Sequence, residues 1–169
     1  MTGTWLARVG LLALLMTSMS QGQLLAQDLD AFGLEAELPE GWTFHPDHID
    51  LEHNFGVFFA ESEDGGFFWL QVMNQSGGND TESPLADSSL TAGFVMNPIE
   101  FADEIAGFAD GFVVENRGVQ TYFFVSAHKG RIFRFRIGYN FEKADFDPAI
   151  VLEGQETLQK LVKSIRFTA

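Results

Sequence analysis

The chain has 169 residues, of which 46% are apolar and 20% charged; these values suit one folded domain and exclude a disordered chain. Its formal net charge of −14 excludes nucleic acid and anionic lipid as expected partners, because both would be repelled. It contains 18 Phe and no Cys, so we expect an aromatic core, and disulfides, thiol catalysis, Cys-ligated zinc and a lipoprotein anchor are excluded.

The N-terminal segment has the three parts of a cleavable secretory signal. Arg8 is its only charged residue, and the apolar stretch of residues 9–19 is too short to span a bilayer. A polar break follows, and Ala26 offers the small side chain that signal peptidase requires before the cleaved bond. We therefore expect cleavage after Ala26, with Ser20 and Gly22 as alternative positions. A buried N-terminal helix is the competing interpretation.

Export predicts a periplasmic or secreted protein, with residues 1–26 as the signal peptide and residues 27–169 as one globular domain. Removing the signal removes Arg8 and no acid, so the formal charge of the domain becomes −15. This charge has two interpretations, namely plain solubility and attraction of a basic partner or a divalent cation. No later apolar run approaches membrane length, so stable membrane insertion after cleavage is not expected.

The first half of the domain is dominated by strand patterns. In chain order, strands are predicted at residues 32–38, 42–44, 55–62 and 67–74. The last two form the clearest hairpin signal, because Glu63-Asp64-Gly65-Gly66 between them supplies the glycines that a tight turn requires. Polar residues 75–89 then predict a loop.

The second half is predicted to mix helices and strands. Asn97-Pro98 is typical of a helix start, apolar residues then recur near helical spacing, and Gly111 fits a C-terminal cap. Three strands of a meander are predicted next, at residues 112–116, 119–128 and 132–140. Asp147-Pro148 opens a last helix, whose apolar face would comprise Ile150, Gly154, Thr157, Leu158, Leu161 and Val162. A short strand over residues 164–167 follows.

Side-chain alternation predicts how the sheet is covered. Residues 67–70 and 122–125 are apolar at both parities, which is typical of strands buried on both faces. In residues 131–139, Arg134 and Arg136 alternate with aromatic and aliphatic side chains, so one face of that strand is wet or paired with acids. The predicted class is α+β, an antiparallel β-sheet with helices packed on its faces.

Two segments resemble the ends of PsbP-like domains. Leu38–Trp42 (LPEGW) resembles the start of these domains, and Leu158–Phe167 (LQKLVKSIRF) is similar to their ending. The resemblance implies an α/β/α sandwich, shared with a small nuclear-import factor that binds Ran. It also implies an exported, extrinsic or accessory protein without enzymatic activity. No position here matches a ligand residue of the family, so the resemblance implies no site and no photosynthetic role.

One polar cluster is a candidate metal site. Residues 45–53 contain three His and three acids, and imidazole and carboxylate suit zinc or copper. Pro46 and the turn chemistry favour a solvated surface loop instead, and an extended chain would disperse the ligands over two faces. We therefore expect no metal and no cofactor, with His45, His48 and His53 as the residues to test.

No catalytic constellation stands out. No Ser lies in a G-x-S-x-G elbow, there is no phosphate-binding loop, and His128 beside the Lys129-Gly130 turn is expected to be exposed. Most Phe side chains are expected to fill the core, while a few could line a concave site beneath the loop of residues 75–97. We expect no catalytic residues.

These observations favour an exported, non-enzymatic accessory or binding protein of the cell envelope or secretome. It would contact another envelope or secreted protein through its sheet edge or its loops. The alternative is a protein that binds a small ligand or a divalent metal, using the 45–53 loop or a pocket under the 75–97 loop. A hydrolase is a distant third interpretation.

Overall fold

The computed structural model describes residues 29–74, 94–116, 118–139 and 148–168. The strands are β1 (Leu34–Glu35), β2 (Thr43–Asp50), β3 (Phe55–Glu61), β4 (Gly66–Asn74), β5 (Met96–Asn97), β6 (Phe108–Asn116), β7 (Val119–His128), β8 (Arg131–Tyr139) and β9 (Arg166–Phe167). A 3-10 turn occupies Ala102–Glu104, and helix α1 spans Pro148–Ser164.

Seven strands form one antiparallel sheet in the order β2-β3-β4-β8-β7-β6-β5, while β1 and β9 pair separately. The turns explain this topology. Between β7 and β8, Lys129 and Gly130 both have positive φ (48° and 73°), as a two-residue hairpin turn with the favoured twist requires. Gly65 (φ 89°) serves the turn between β3 and β4, which lie next to each other in the sheet.

The core lies on one face of the sheet, under α1 and the N-terminal segment. The helix contributes Leu158, Leu161 and Val162, Ile165 follows directly after it, and the N-terminal segment contributes Leu29, Phe32 and Leu34. They pack on a strand face that is largely aromatic, where Phe124 and Phe135 stack with ring centroids 4.6 Å apart. Full burial of each such side chain contributes about 1.5–3 kcal/mol, so this face holds most of the stabilising area.

Polar contacts fix the helix on the sheet. The Gln155 side chain accepts a hydrogen bond from the Gln120 amide (2.9 Å) and donates to the Tyr122 hydroxyl (3.2 Å). Burial is the main reason that the pKa of Tyr122 is raised above its ordinary value. Near the C-terminal end of α1, Lys163 pairs with Glu104 at 2.8 Å and thereby joins the helix to the 3-10 turn.

Most predicted elements are confirmed. The hairpin at residues 55–74, the three-stranded meander and the last helix all form. Strand β7 is buried on both faces from Tyr122 to Val125, as predicted, whereas β4 buries one face and leaves Phe67 and Trp69 half-buried on the other. The predicted alternation in β8 is also confirmed, because Arg134 and Arg136 project from the face opposite to the buried Phe133, Phe135 and Ile137.

The predicted helix between Asn97 and Gly111 is wrong. Only a 3-10 turn forms there, and strand β6 begins at Phe108. The reason is Gly107, which has φ 62° and whose carbonyl accepts the Ala127 amide of β7 at 2.9 Å. A Cβ at Gly107 would lie 2.7 Å from the Ala127 carbonyl oxygen, so this close approach of backbones selects glycine and ends any helix.

The two terminal strands are shorter than predicted. The strand expected at residues 32–38 is limited to β1, and the one expected at 164–167 is limited to β9, each pairing with the other. Among the described residues, α1 packs on one face of the sheet only, and no described helix is long and apolar enough to cross a membrane. The predicted signal peptide and the loop at 75–89 lie outside the described residues.

Candidate functional site

The face of the seven-stranded sheet opposite α1 differs from the core face, and we call it the open face. None of the described helices packs on it, and the main core cluster lies entirely on the other side. Phe59, Phe67 and Trp69 are half-buried there and Arg136 is exposed, whereas Phe123 and Val125 of β7 are buried on the same face. Aromatic rings on a surface that no described helix covers are the most unusual feature of this domain.

One row of side chains crosses the open face over six strands. In an antiparallel sheet, residues directly opposite each other project from the same face. The register therefore aligns a set that we call the Arg136 row: His45 (β2), Phe59 (β3), Trp69 (β4), Arg136 (β8), Phe123 (β7) and Phe112 (β6). Five strand spacings of about 4.8 Å make this row roughly 24 Å wide.

Arg136 lies between aromatic rings in the middle of the row. Its Cζ atom is 5.2 Å from the ring centroid of Phe67 and 5.4 Å from that of Phe123, within cation–π range. Phe123 in turn stacks on Phe112, with centroids 5.2 Å apart. Burial against these rings lowers the pKa of Arg136 from its ordinary value, although a guanidinium stays protonated at neutral pH.

The neighbouring arginine on this face is Arg134. It lies two residues along β8 on the same face, opposite Gln71 and Val125, and its Nε atom is buried without a hydrogen-bond acceptor among the described residues. Arg131 shows the contrast. Its guanidinium donates to the Phe32 carbonyl (2.7 Å) and to Asn54 Oδ1 (2.9 Å), so Arg131 is structural.

The predicted loop at residues 45–53 is wrong for most of its length, because residues 43–50 form strand β2. Pro46 is tolerated there because β2 is the edge strand and its ladder is irregular between Pro46 and His48. Strict alternation along the strand would place His45 and His48 on opposite faces of the sheet. Because of the bulge they project from the same face. His45 stacks on Phe59 with centroids 6.5 Å apart, and His48 packs 5.6 Å from Phe55.

The third histidine of the cluster serves a turn. Asp50 accepts hydrogen bonds from both His53 Nδ1 (2.8 Å) and the His53 amide (3.1 Å), which lowers the pKa of Asp50. The three histidines are therefore held by separate contacts. In the described part of the chain, no group of three or more His, Asp or Glu side chains is placed to hold a metal ion. That the protein binds no metal stays a prediction.

A cleft opens at one end of the sheet, beside the Pro39–Trp42 segment. Its volume is about 580 Å³, and it is lined by Pro39, Glu40, Gly41, Trp42, Ser62, Glu63, Asp64, Tyr139, Gly154 and Thr157. Gly66 makes room for Trp42, because a Cβ there would lie 2.6 Å from the indole ring. The LPEGW segment thus has a packing role, and the cleft that it borders is not the predicted pocket under residues 75–97, most of which lie outside the described residues.

The described residues do not bring a nucleophile and a base together. Ser126 is fully buried, and its Oγ atom has no hydrogen-bond partner in the part of the chain that the structure describes. His128, which was expected to be exposed, is half-buried and stacks on Phe167 with centroids 4.4 Å apart. Its packing follows from the pairing of β1 with β9, which brings Phe167 to the end of β7. The His128 Nε2 atom is buried there and has no hydrogen-bond partner among the described residues.

Together these elements define an α+β domain, an antiparallel sheet with a helix on one face, which is the predicted class. No protein-family model and no curated protein matches the chain. The solution structure of cyanobacterial PsbP (CyanoP) from Synechocystis sp. PCC 6803 is similar, with 9% identity and a TM-score of 0.39, over 80% of this chain and 87% of that one. That structure is a PsbP, the family whose ends the two segments resemble, and a likeness at this TM-score transfers no residue role to this chain.

The Arg136 row was not predicted as a site. The alternation in β8 indicated a polar face. The phenylalanine and tryptophan side chains of the row lie on four other strands, however, and only the register of the sheet aligns them with Arg136. One signal was available: Phe67 and Trp69 share a parity opposite to that of Phe68 and Leu70, so one of the two aromatic faces had to lie away from the core.

Proposed function

We propose that this chain is an exported, non-enzymatic binding protein of the cell envelope or secretome, and that it contacts another protein through the open face. The observation that carries the proposal is the Arg136 row. An aromatic and arginine surface without a described helix above it has the composition of an interface centre, where Tyr, Trp, Phe, Met and Arg are enriched and Lys, Asp and Glu are depleted.

The dimensions support this proposal. The row is about 24 Å wide, which is comparable to the diameter of roughly 30 Å of a round patch of about 800 Å², the area that each partner usually contributes to a standard interface. The sheet also holds its side chains in fixed positions before contact, and this lowers the entropy lost on binding.

The β5 edge of the sheet adds apolar surface to this face. Phe94, Val95 and Met96 are 44%, 71% and 56% exposed, and Met96 pairs with Val114, a residue of the open face. A partner that lies on the row can reach this edge, and the sheet-edge contact expected from the sequence then forms part of the same surface.

Site-specific photo-cross-linking tests the proposal in the native host. A photoreactive phenylalanine analogue replaces Trp69 in the row or, as the matched control, Leu152 on α1, which is 68% exposed. The expected result is one defined partner joined at position 69 and not at position 152, with capture reduced by Phe59→Ala in the same chain. Equal capture at both positions, or none at position 69, contradicts a contact through the open face.

The second candidate function is small-ligand binding in the cleft beside Trp42. It is favoured by the cleft volume of about 580 Å³, within the usual range of ligand sites, and by the two aromatic side chains in its wall. A ligand there would change the fluorescence of Trp42. A screen of small molecules should then give a saturable signal that Trp42→Phe abolishes and Trp69→Phe retains. A signal that survives Trp42→Phe removes this candidate.

A further inference from the structure

The open face carries positive charge inside an acidic protein. The chain has a formal net charge of −14, yet Arg134 and Arg136 occupy the centre of this face. The two acids of the open face that flank these arginines, Asp110 and Glu61, do not lie directly opposite either of them in the sheet. Asp110 is at the end of the Arg134 row and accepts the Gly111 amide at 2.9 Å, and Glu61 is opposite Phe67 and has an interaction of its own.

Neither arginine has an ion-pair or hydrogen-bond partner among the described residues. Arg136 is exposed, so its guanidinium can form hydrogen bonds with water in the free protein. A partner that covers the row displaces this water, and an unpaired buried charge carries a large desolvation penalty. The desolvation penalty at Arg136 would therefore cancel much of the binding free energy that an entirely apolar partner gains from the surrounding aromatic rings.

A carboxylate is the group that satisfies this position best. The planar guanidinium presents a fork of N–H donors that matches two carboxylate oxygens, and pairs of this kind are the strong hydrogen bonds of interfaces. The rings of Phe67 and Phe123 limit the movement of the Arg136 side chain, so less rotamer freedom is lost when a pair forms.

We propose that the partner segment that lies on the Arg136 row is apolar and carries a carboxylate that pairs with Arg136. This inference rests on the proposed function, and it names the chemistry of the partner at that site. The acidity of the whole chain adds a second condition. A partner that is basic overall is attracted by the long-range field, while the carboxylate in its contact segment meets the local charge of the row.

Small probes of matched shape test the local chemistry without knowledge of the partner. 3-Phenylpropionate carries an aromatic ring and a carboxylate, and 3-phenylpropanamide is its neutral counterpart. Each probe is titrated into the protein as it is purified from cells, after the host has processed residues 1–26. Changes in the backbone amide chemical shifts are followed by NMR. We expect shifts centred on β8, β4 and β7, and binding of the carboxylate about fivefold tighter than of the amide, as one charge-assisted hydrogen bond at a partly exposed site provides.

Two charge variants locate the effect. Arg136→Gln should remove the preference for the carboxylate, and Lys160→Gln, the same loss of charge at an exposed position on α1, should keep it. Arg136→Lys is the second variant if Arg136→Gln does not fold; it retains the charge without the fork, and the preference should fall by more than half. Equal binding of the two probes, a preference that survives Arg136→Gln, or shifts outside the row would each overturn the proposal.

The outcome is separable from that of the proposed function. If position 69 cross-links to a defined partner but the carboxylate preference is absent, the open face is a contact surface and the inference about its chemistry is wrong. If the preference is present and position 69 joins only a second copy of the chain, or another part of the same chain, the carboxylate comes from the protein itself and the proposed partner is refuted.

Discussion

Replacing Gly138 on the open face with alanine has two opposing effects on the free energy of unfolding: the change in backbone entropy stabilises the domain, and the added methyl group overpacks the site. Gly138 is buried in β8, where it pairs with Phe67 on one side and packs against the Thr121 side chain on the other. A Cβ added there would lie 2.5 Å from Thr121 Oγ1, 2.6 Å from its Cγ2 and 2.9 Å from its Cβ. Rotation of the Thr121 side chain exchanges the two γ atoms but leaves its Cβ in place.

The expected sign follows from magnitudes. Glycine inside a strand is less stable than alanine by about 0.5–1 kcal/mol because it loses more backbone entropy on folding. Overpacking a filled site costs about 1–3 kcal/mol. The clash with Thr121 should therefore outweigh the entropy gain, and Gly138→Ala should destabilise the domain by about 0.5–2 kcal/mol, although propensity alone predicts stabilisation.

A double-mutant cycle isolates the contact. Thr121→Ala removes both γ atoms but keeps the Cβ, which would lie 2.9 Å from the new methyl group. Gly138→Ala should therefore cost less in that background than in the parent without becoming neutral, and the two changes should couple by about 1 kcal/mol. Urea unfolding of the four proteins, followed by tryptophan fluorescence and circular dichroism, gives the free energies if their m values agree. A Gly138→Ala protein at least as stable as its parent, or changes that add within about 0.3–0.5 kcal/mol, would refute the packing argument.

Three further predictions concern other parts of the chain. The protein isolated from its host should begin at Gln27, and an intact mass that corresponds to all 169 residues would contradict export. Calorimetric titration with zinc and copper should show no site tighter than about micromolar, a prediction that a stoichiometric site lost in His48→Ala would overturn. Because burial raises the pKa of Tyr122, the stability that its neutral form contributes is complete below pH ~10 and is lost as pH rises through the folded pKa, so alkaline unfolding should be less steep in Tyr122→Phe.

Local pattern was sufficient where one signal dominated. The glycine turn at residues 63–66 and the Lys129-Gly130 turn fixed two hairpins, because each supplies the positive φ that short connections need. The apolar spacing of Leu158, Leu161 and Val162 gave the last helix and its buried face. In these segments the local preference and the tertiary environment favour the same structure.

The failed predictions share a physical cause, which is the competition between local preference and sheet pairing. Residues 97–111 have helical spacing, but the edge of β7 offers backbone partners to Phe108–Asn116, and Gly107 permits the close approach that starts this pairing. Residues 45–50 combine Pro46 with polar side chains typical of a loop, but β3 needs a neighbour and an edge strand can accommodate a proline at a bulge. Both segments depend on strands far away in the sequence, which no local pattern describes.

The same dependence on distant strands explains what could be predicted about the Arg136 row. The sequence showed which face of β8 its arginine occupies, but not which side chains of the other strands complete the row. Alternation in β8 separates Arg134 and Arg136 from Phe133, Phe135 and Ile137 without any knowledge of the fold. Which rings surround Arg136 depends on register, and a slip of one residue between β4 and β8 would place Phe68 or Leu70 opposite it instead of Trp69. Such a slip would also turn the core side chains of one strand outward, so burial of Phe135 and Ile137 enforces the register. The core face thereby determines the arrangement on the open face, and a change that weakens core packing around β8 should disturb the row even though it touches none of its members.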